Sequence, residues 1–91
     1  MSKFENNIIG NNLFQVNGYI KFHLLELLEK KHITRYALSR ITNIRYDTIC
    51  NYCSSNVTLI NAEYLKIFCT ILDCNIGDIM TFEKIEKNTS N

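Results

Sequence analysis

The chain has 91 residues, the size of one small domain, so we expect no separate sensor or catalytic domain. Hydrophobic residues make up 46% of it, which is enough for a packed core, and no apolar run approaches the ~18 residues that a membrane span needs. The opening MSKFENNIIG lacks the basic and apolar segments of a secretory signal. The sequence therefore predicts a soluble, cytoplasmic protein.

The net charge of +1 is small, but it is unevenly distributed. Five basic residues and one acidic residue between positions 30 and 52 give this segment +4, and the remainder carries −3. A basic segment on a near-neutral protein can hold a local positive potential, which suits a nucleic-acid partner. A solvated helix face is the alternative interpretation. The basic residues are Lys30, Lys31, Arg35, Arg40 and Arg45.

Four cysteines raise the question of a metal site. Cys50 and Cys53 have the C-x2-C spacing, but no histidine follows at ligand spacing and the surrounding residues are predicted to be helical. Cys69 and Cys74 are better explained as small core residues. We therefore expect no metal, no disulfide and no cofactor.

The apolar spacing predicts an all-α domain. Residues 1–17 are expected to form an N-terminal arm, residues 18–82 a five-helix domain, and residues 83–91 a polar tail. Asn17 would cap the first helix, whose stripe would hold Ile20, Leu24, Leu27 and Leu28. The predicted helices cover residues 18–31, 34–42, 46–53, 61–72 and 76–80.

The second and third helices are predicted on either side of Asn43. Thr34 would cap the second, with Ala37, Leu38 and Ile41 facing inward. Asparagine tolerates the left-handed backbone conformation, so Asn43 can end this helix and turn the chain into the next. Ile44 would fill the corner between the two helices.

Two helices joined by so short a turn are typical of a helix-turn-helix, whose second helix enters the DNA major groove. A small residue, Ser39, stands where the helices must cross closely. The third helix would bury Ile49 and Tyr52 and turn its first residues outward. Nothing indicates an enzyme, because a glycine-rich phosphate loop is missing and His23 and His32 have no nearby nucleophile.

The segments ITRYALSRITNIRYDTICNY and INAEYLKIFCTILDCNIGDIM resemble the Cro/CI-type (Xre-like) helix-turn-helix domain of phage and bacterial repressors. The likeness covers about residues 20–80 and is greatest to small single-domain regulators. It implies a lambda-repressor-like fold of five helices. The most specific match lies near the end, at Leu65, Cys69, Leu72, Cys74, Gly77 and Asp78.

The resemblance also implies which residues contact DNA. Arg35 would hold a phosphate and brace the third helix, and the loop after that helix would contact the DNA backbone. By their chemistry, Arg45 suits guanine or phosphate, Asn51 adenine and Asp47 cytosine. Asp47 could instead only complement the helix dipole. The predicted DNA-binding set is Thr34, Arg35, Arg45, Tyr46, Asp47, Thr48, Asn51, Ser55 and Asn56.

The sequence departs from the family pattern at three positions. Ser39 replaces the usual alanine, so its hydroxyl needs a backbone partner. Asn43 and Ser55 replace glycines. Because serine is uncomfortable at positive φ, we expect the loop around Ser55 to follow a different path.

A second apolar stripe on the fourth helix suggests a two-fold dimer that would place two reading helices ~34 Å apart. The alternative is that Ile8, Ile9, Leu13 and Phe14 of the arm cover this stripe. The candidate interface residues are Ile60, Tyr64, Ile67 and Ile71.

The function that the sequence favours is a sequence-specific, repressor-like transcriptional regulator that binds double-stranded DNA as a homodimer, without membrane or small-molecule ligands. The alternative keeps the fold but uses it to bind protein, as an antirepressor or antitoxin-like partner. The modest net charge and Asp47 favour this alternative.

Overall fold

Five short helices and one two-stranded antiparallel sheet make up residues 15–85, the part of the chain that this computed structural model describes. The fold is therefore helical but not strictly all-α. No helix among these residues has the length and hydropathy required to cross a membrane. In chain order the elements are β1 (Gly18–Phe22), α1 (Leu24–Lys31), α2 (Arg35–Thr42), α3 (Tyr46–Cys53), α4 (Ala62–Leu72), α5 (Ile76–Ile79) and β2 (Met80–Lys84).

The predicted first helix over residues 18–31 is wrong in its first third. Residues 18–22 form β1, and α1 begins only at Leu24, so Asn17 caps no helix. The segment GYIKF opens with glycine and is rich in strand formers, and it pairs with β2 from the other end of the chain. Because that partner is distant in sequence, the local apolar spacing could not reveal it.

The sheet also changes the boundary of the predicted tail. The fifth helix ends at Ile79 instead of residue 80, and β2 then continues to Lys84, so residues 83 and 84 belong to the folded body. A side chain at Gly18 would collide with the Glu83 carbonyl oxygen and the Phe82 ring, so this strand pair requires a glycine there. Residues 1–14 of the predicted arm and residues 86–91 of the tail lie outside the described residues.

The core lies between all the helices and the inner end of the sheet. Tyr52 is at its centre, where its ring makes edge-to-face contacts with Phe22 at 5.4 Å and Phe68 at 5.6 Å between centroids. The Tyr52 hydroxyl accepts a hydrogen bond from the Asn61 amide at 3.0 Å. The buried residues are Phe22, Leu24, Leu28, Leu38, Ile44, Ile49, Tyr52, Leu65, Phe68, Leu72 and Ile79.

Two residues of the predicted apolar stripes do not face the core. Ile20 lies in β1 and is 43% exposed, and Ile41 of α2 is 56% exposed. Helix α2 is only eight residues long, and Leu38 is the one of its residues that is fully buried. The buried side of α2 is therefore narrow, and Ile41 lies outside it.

Side chains cap both α2 and α4, and the cap at Thr34 is placed as the sequence predicts. Thr34 precedes α2, and its hydroxyl accepts from the Ala37 amide at 3.0 Å. Asn61 precedes α4, and its side-chain oxygen accepts from the Glu63 amide at 2.8 Å. These side chains satisfy helix amides that have no partner within the helix, which fixes where each helix begins.

We predict that the left-handed conformation of Asn43 sets the effect of substitution there. Its φ is 63°, so Asn43→Ala should lower the free energy of unfolding by about 1 kcal/mol, whereas Asn43→Gly should leave it unchanged or raise it slightly. Urea unfolding of both variants measures this difference. Equal losses in the two variants would contradict the assignment of strain to the backbone.

Candidate nucleic-acid interface

The turn between α2 and α3 is held by polar side chains that bond to the backbone. Asn43 ends α2 at φ 63°, and its amide donates to the Ser39 carbonyl at 2.8 Å. The Ser39 hydroxyl donates to the Ile44 carbonyl at 2.6 Å, which supplies the backbone partner that serine needs at this crossing. Ile44 is buried in the corner. The bend at Asn43 is therefore confirmed, and straight helix does not run through it.

Helix α3 has one buried side and one exposed side. Ile49 and Tyr52 are buried, whereas Tyr46, Asp47 and Asn51 are exposed. The buried side holds α3 against the core, and the first turn of the helix keeps an exposed outer surface. The predicted inward residues of α3 are confirmed.

The sequence-predicted residues divide into two neighbouring groups. Thr48, Asn51 and Asn56 line one open cleft, formed by α3 together with the loop that leads to α4. Arg45 stands at the N-terminal cap position of α3 and makes no side-chain capping bond. Its exposed side chain adds positive charge at the start of the helix, next to Asp47.

Arg35 and Tyr46 form the second group. A hydrogen bond with the Cys50 thiol raises the pKa of Tyr46 above its ordinary value, and the positive charge of Arg35 opposes this shift. Burial raises the pKa of Cys53, and the same charge opposes that shift as well. The role of Arg35 as a brace for α3 stays a prediction. Tyr46 is 42% exposed, so its side chain is accessible to solvent.

A neighbouring pair on α2 was not among the predicted site residues. The Arg40 guanidinium lies 5.7 Å from the Tyr36 ring centroid and donates to the Tyr36 hydroxyl at 2.9 Å. Both residues are exposed, and the ring holds the guanidinium close to the surface of α2. The i,i+4 spacing of an aromatic residue and an arginine in α2 is the signal that could have indicated this pair.

At Ser55, the loop after α3 has the backbone conformation that a glycine would adopt. Ser55 has φ 63°, so the expectation of a different loop path is wrong. Its hydroxyl accepts from the Phe22 amide at 3.1 Å, and this long-range bond ties the end of β1 to the loop. A bond that glycine cannot make offsets part of the strain at this position. The same hydroxyl still has a hydrogen to donate, which leaves its predicted phosphate contact a prediction.

The apolar stripe on α4 is only partly exposed. Tyr64 and Ile67 are half-buried against the core, and the Tyr64 ring packs on Tyr52 at 6.2 Å between centroids. Ile60 and Ile71 are 39% and 40% exposed. The stripe therefore offers less apolar surface than its spacing suggests. The arm residues that could cover it lie outside the described part of the chain.

All four cysteines are half-buried free thiols. Burial raises the pKa of Cys53 to about 11, against the opposing charge of Arg35. Burial is also the main cause that raises the pKa of Cys74 to about 11, and Cys69 adds to the effect. Within residues 15–85, no three side chains of the metal-binding types converge on one point. Neutral, half-buried thiols fit the interpretation of these cysteines as small core residues.

Comparison with known proteins agrees with this geometry. The sequence model of the Cro/C1-type helix-turn-helix DNA-binding domain matches residues 23–84. The chain belongs to this family. The crystal structure of the transcriptional regulator VanUg, form II, superimposes with a TM-score of 0.63 at 20% sequence identity, over 81% of this chain and 97% of that chain. This likeness concerns the fold. A comparison with curated proteins returns no match.

The two helices α2 and α3, joined by the short bend at Asn43, have the arrangement of a helix-turn-helix within this domain. The match begins at His23 and ends at Lys84, so it takes in β2 and leaves all of β1 outside.

The raised pKa values predict how stability depends on pH. Below the ordinary thiol pKa of 9.0, Cys53 and Cys74 are protonated in both the folded and the unfolded chain. The contribution of these two thiols to the free energy of unfolding is then fully present. Between pH 9 and about 11 the unfolded chain ionises first, and the free energy of unfolding should fall. Urea unfolding across this range should show a shallower fall for the variant with Cys53→Ala and Cys74→Ala. Parallel curves would contradict the prediction.

Proposed function

We propose that this chain is a sequence-specific, DNA-binding transcriptional regulator of the cytoplasm that represses without catalysis, with α3 entering the major groove. The observation that carries the proposal is the separation of α3 into a buried side, Ile49 and Tyr52, and an outer side that begins with Tyr46 and Asp47. An outward first turn after a sharp bend suits the docking of a recognition helix.

Charge supports the same orientation. Arg35, Arg40 and Arg45 are exposed on α2 and at the start of α3, so the segment that would face the phosphates holds a positive potential. Asp47 is the exposed acidic residue in the first turn of α3. It would either accept from cytosine, which adds specificity, or complement the helix dipole, and in both cases its negative charge opposes general affinity for phosphates.

The predicted contact residues would divide the recognition of DNA among them. Asn51 can bond adenine through two hydrogen bonds, and Arg45 can bond guanine or a phosphate. Tyr46 would stack its ring against a thymine methyl or bond a phosphate through its hydroxyl. Thr34, Ser55 and Asn56 would contact the DNA backbone. As a homodimer, the protein would read two half-sites about one helical turn apart.

Selection of bound fragments from random DNA tests the proposal. A repeated motif is expected, and its affinity should fall ~10³-fold or more as salt rises from 50 to 200 mM. Failure to enrich any sequence would contradict DNA reading. Enrichment failure together with a salt-insensitive protein partner would favour the antirepressor or antitoxin-like alternative.

We predict that Asn51→Ala relaxes the preference at one base position by about 5- to 150-fold, because a bidentate contact supplies ~1–3 kcal/mol of discrimination. Binding of the selected DNA and of single-base variants measures the change. The exposed amide of Asn56 offers a matched control, since its loss should weaken all these DNAs by the same factor.

Arg35→Ala is expected to weaken every sequence alike and to reduce the salt slope by about 1, because it removes a phosphate contact. Lys66→Ala is the matched control, since Lys66 pairs with Glu63 at 3.1 Å on the surface of α4. A base-specific loss in Arg35→Ala, or an equal loss in Lys66→Ala, would contradict the assignment. Circular dichroism should verify that α3 remains folded in each variant.

A further inference from the structure

The outer side of α2 carries a pair of side chains that the predicted DNA-binding set does not contain. Tyr36 and Arg40 stand two residues before and two residues after the buried Leu38, so they lie on the side of α2 that faces away from the core. Tyr36 is 61% exposed, and Arg40 is exposed as well. The arrangement of these two side chains is set by a direct contact between them.

The Arg40 guanidinium is held by Tyr36 in two ways. It lies 5.7 Å from the centroid of the Tyr36 ring, which is a cation–π distance, and it donates to the Tyr36 hydroxyl at 2.9 Å. An arginine has several N–H donors, and this bond uses one of them. The Tyr36 hydroxyl is the acceptor in the bond, so its own hydrogen remains to be donated. The pair therefore presents a charged donor and a neutral donor next to each other.

The contact carries the charge of Arg40 toward the beginning of α2. Helical side chains lean toward the N-terminus, and the Arg40 guanidinium lies over a residue that is one turn nearer to that end. Arg35 begins the helix, and the eight residues of α2 include no acidic one. The helix dipole also favours an anion at this end. The first half of α2 therefore holds two guanidinium groups and no carboxylate of its own.

The position of the pair relative to α3 indicates which anion it would meet. When the second helix of a helix-turn-helix enters the major groove, the first helix crosses the sugar-phosphate backbone. The bond from the Ser39 hydroxyl to the Ile44 carbonyl ties α2 to the turn before α3, so the outer side of α2 is placed together with α3. Phosphate oxygens accept from both arginine and tyrosine side chains. The anion that this geometry favours is a phosphate of the bound DNA.

We propose that Tyr36 and Arg40 form a clamp for one DNA phosphate, in addition to the phosphate assigned to Arg35. The Arg40 guanidinium donates to one phosphate oxygen, and the Tyr36 hydroxyl donates to another oxygen of the same group. Because the Tyr36 ring already holds the guanidinium in free protein, little side-chain freedom is lost on binding. The clamp contacts no base, so it adds affinity for every sequence alike.

The inference rests on the proposed function, because it requires α2 to lie against DNA. Its test is the salt dependence of binding of the full chain to two labelled duplexes of equal length, one with the selected motif and one of unrelated sequence. Arg40→Ala should weaken both by the same factor and reduce the slope of log affinity against log salt by about 1, because one phosphate contact is lost. Between 50 and 200 mM salt, its affinity should therefore fall by a factor about 3- to 4-fold smaller than that of the wild type.

Tyr36→Phe removes the hydroxyl and keeps the ring. It should weaken the binding of both duplexes about 2- to 10-fold, because one hydrogen bond is lost, and it should leave the salt slope unchanged, because the lost donor is neutral. In a chain that already carries Arg40→Ala, the same substitution should cost less, since the hydroxyl and the guanidinium act on one phosphate. Equal losses in the two backgrounds would overturn the clamp.

Lys84→Ala is the matched control, because it removes the same charge from the exposed end of β2 and should bind like the wild type. If Arg40→Ala also binds like the wild type, the clamp is overturned while the proposed function holds. If no motif is selected but Arg40→Ala still reduces the salt slope on the unrelated duplex, the clamp is supported and sequence-specific reading is contradicted. A wild type that binds neither duplex overturns both. Circular dichroism verifies that each variant is folded.

Discussion

The burial of Tyr52 is the constraint on which the rest of the structure depends. Helix α3 has eight residues, and helices of this length are marginal in water without tertiary contacts. Tyr52 supplies those contacts at its C-terminal end, through Phe22, Phe68 and the Asn61 amide. With Ile49 also buried, the back of α3 is fixed at two points one turn apart. Its front is therefore free to carry side chains chosen for recognition.

The turn shows how the chain replaces small residues with hydrogen bonds. A serine at the helix crossing places a hydroxyl in a tight space, but the Ser39 hydroxyl donates a hydrogen bond to the Ile44 carbonyl. Thr42 bonds back to the Leu38 carbonyl and accepts from the Ile44 amide, so both ends of the bend are held by side chains. The two serines that replace the family's alanine and glycine thus cost little, because each hydroxyl finds a backbone partner.

The sequence predicted best where the signals were local. The Thr34 cap, the Asn43 bend and the buried pair in α3 depend on neighbours within a few residues, and all three are observed. The sheet could not be predicted in this way, because Gly18 pairs with Lys84 and no turn sequence links the strands. Ile20 happens to stand four residues before Leu24, which imitates a helix. The hydrogen bond from the Phe22 amide to the Ser55 hydroxyl could not be predicted either, because the two residues come together only in the folded chain.

That bond connects the sheet to the recognition surface. Phe22 packs on Tyr52 through its ring and donates to Ser55 through its amide, so the inner end of β1 touches both α3 and the loop after it. The position of α3 is therefore coupled to β1 by a packed ring and by a hydrogen bond, so the sheet supports the surface that α3 presents to solvent.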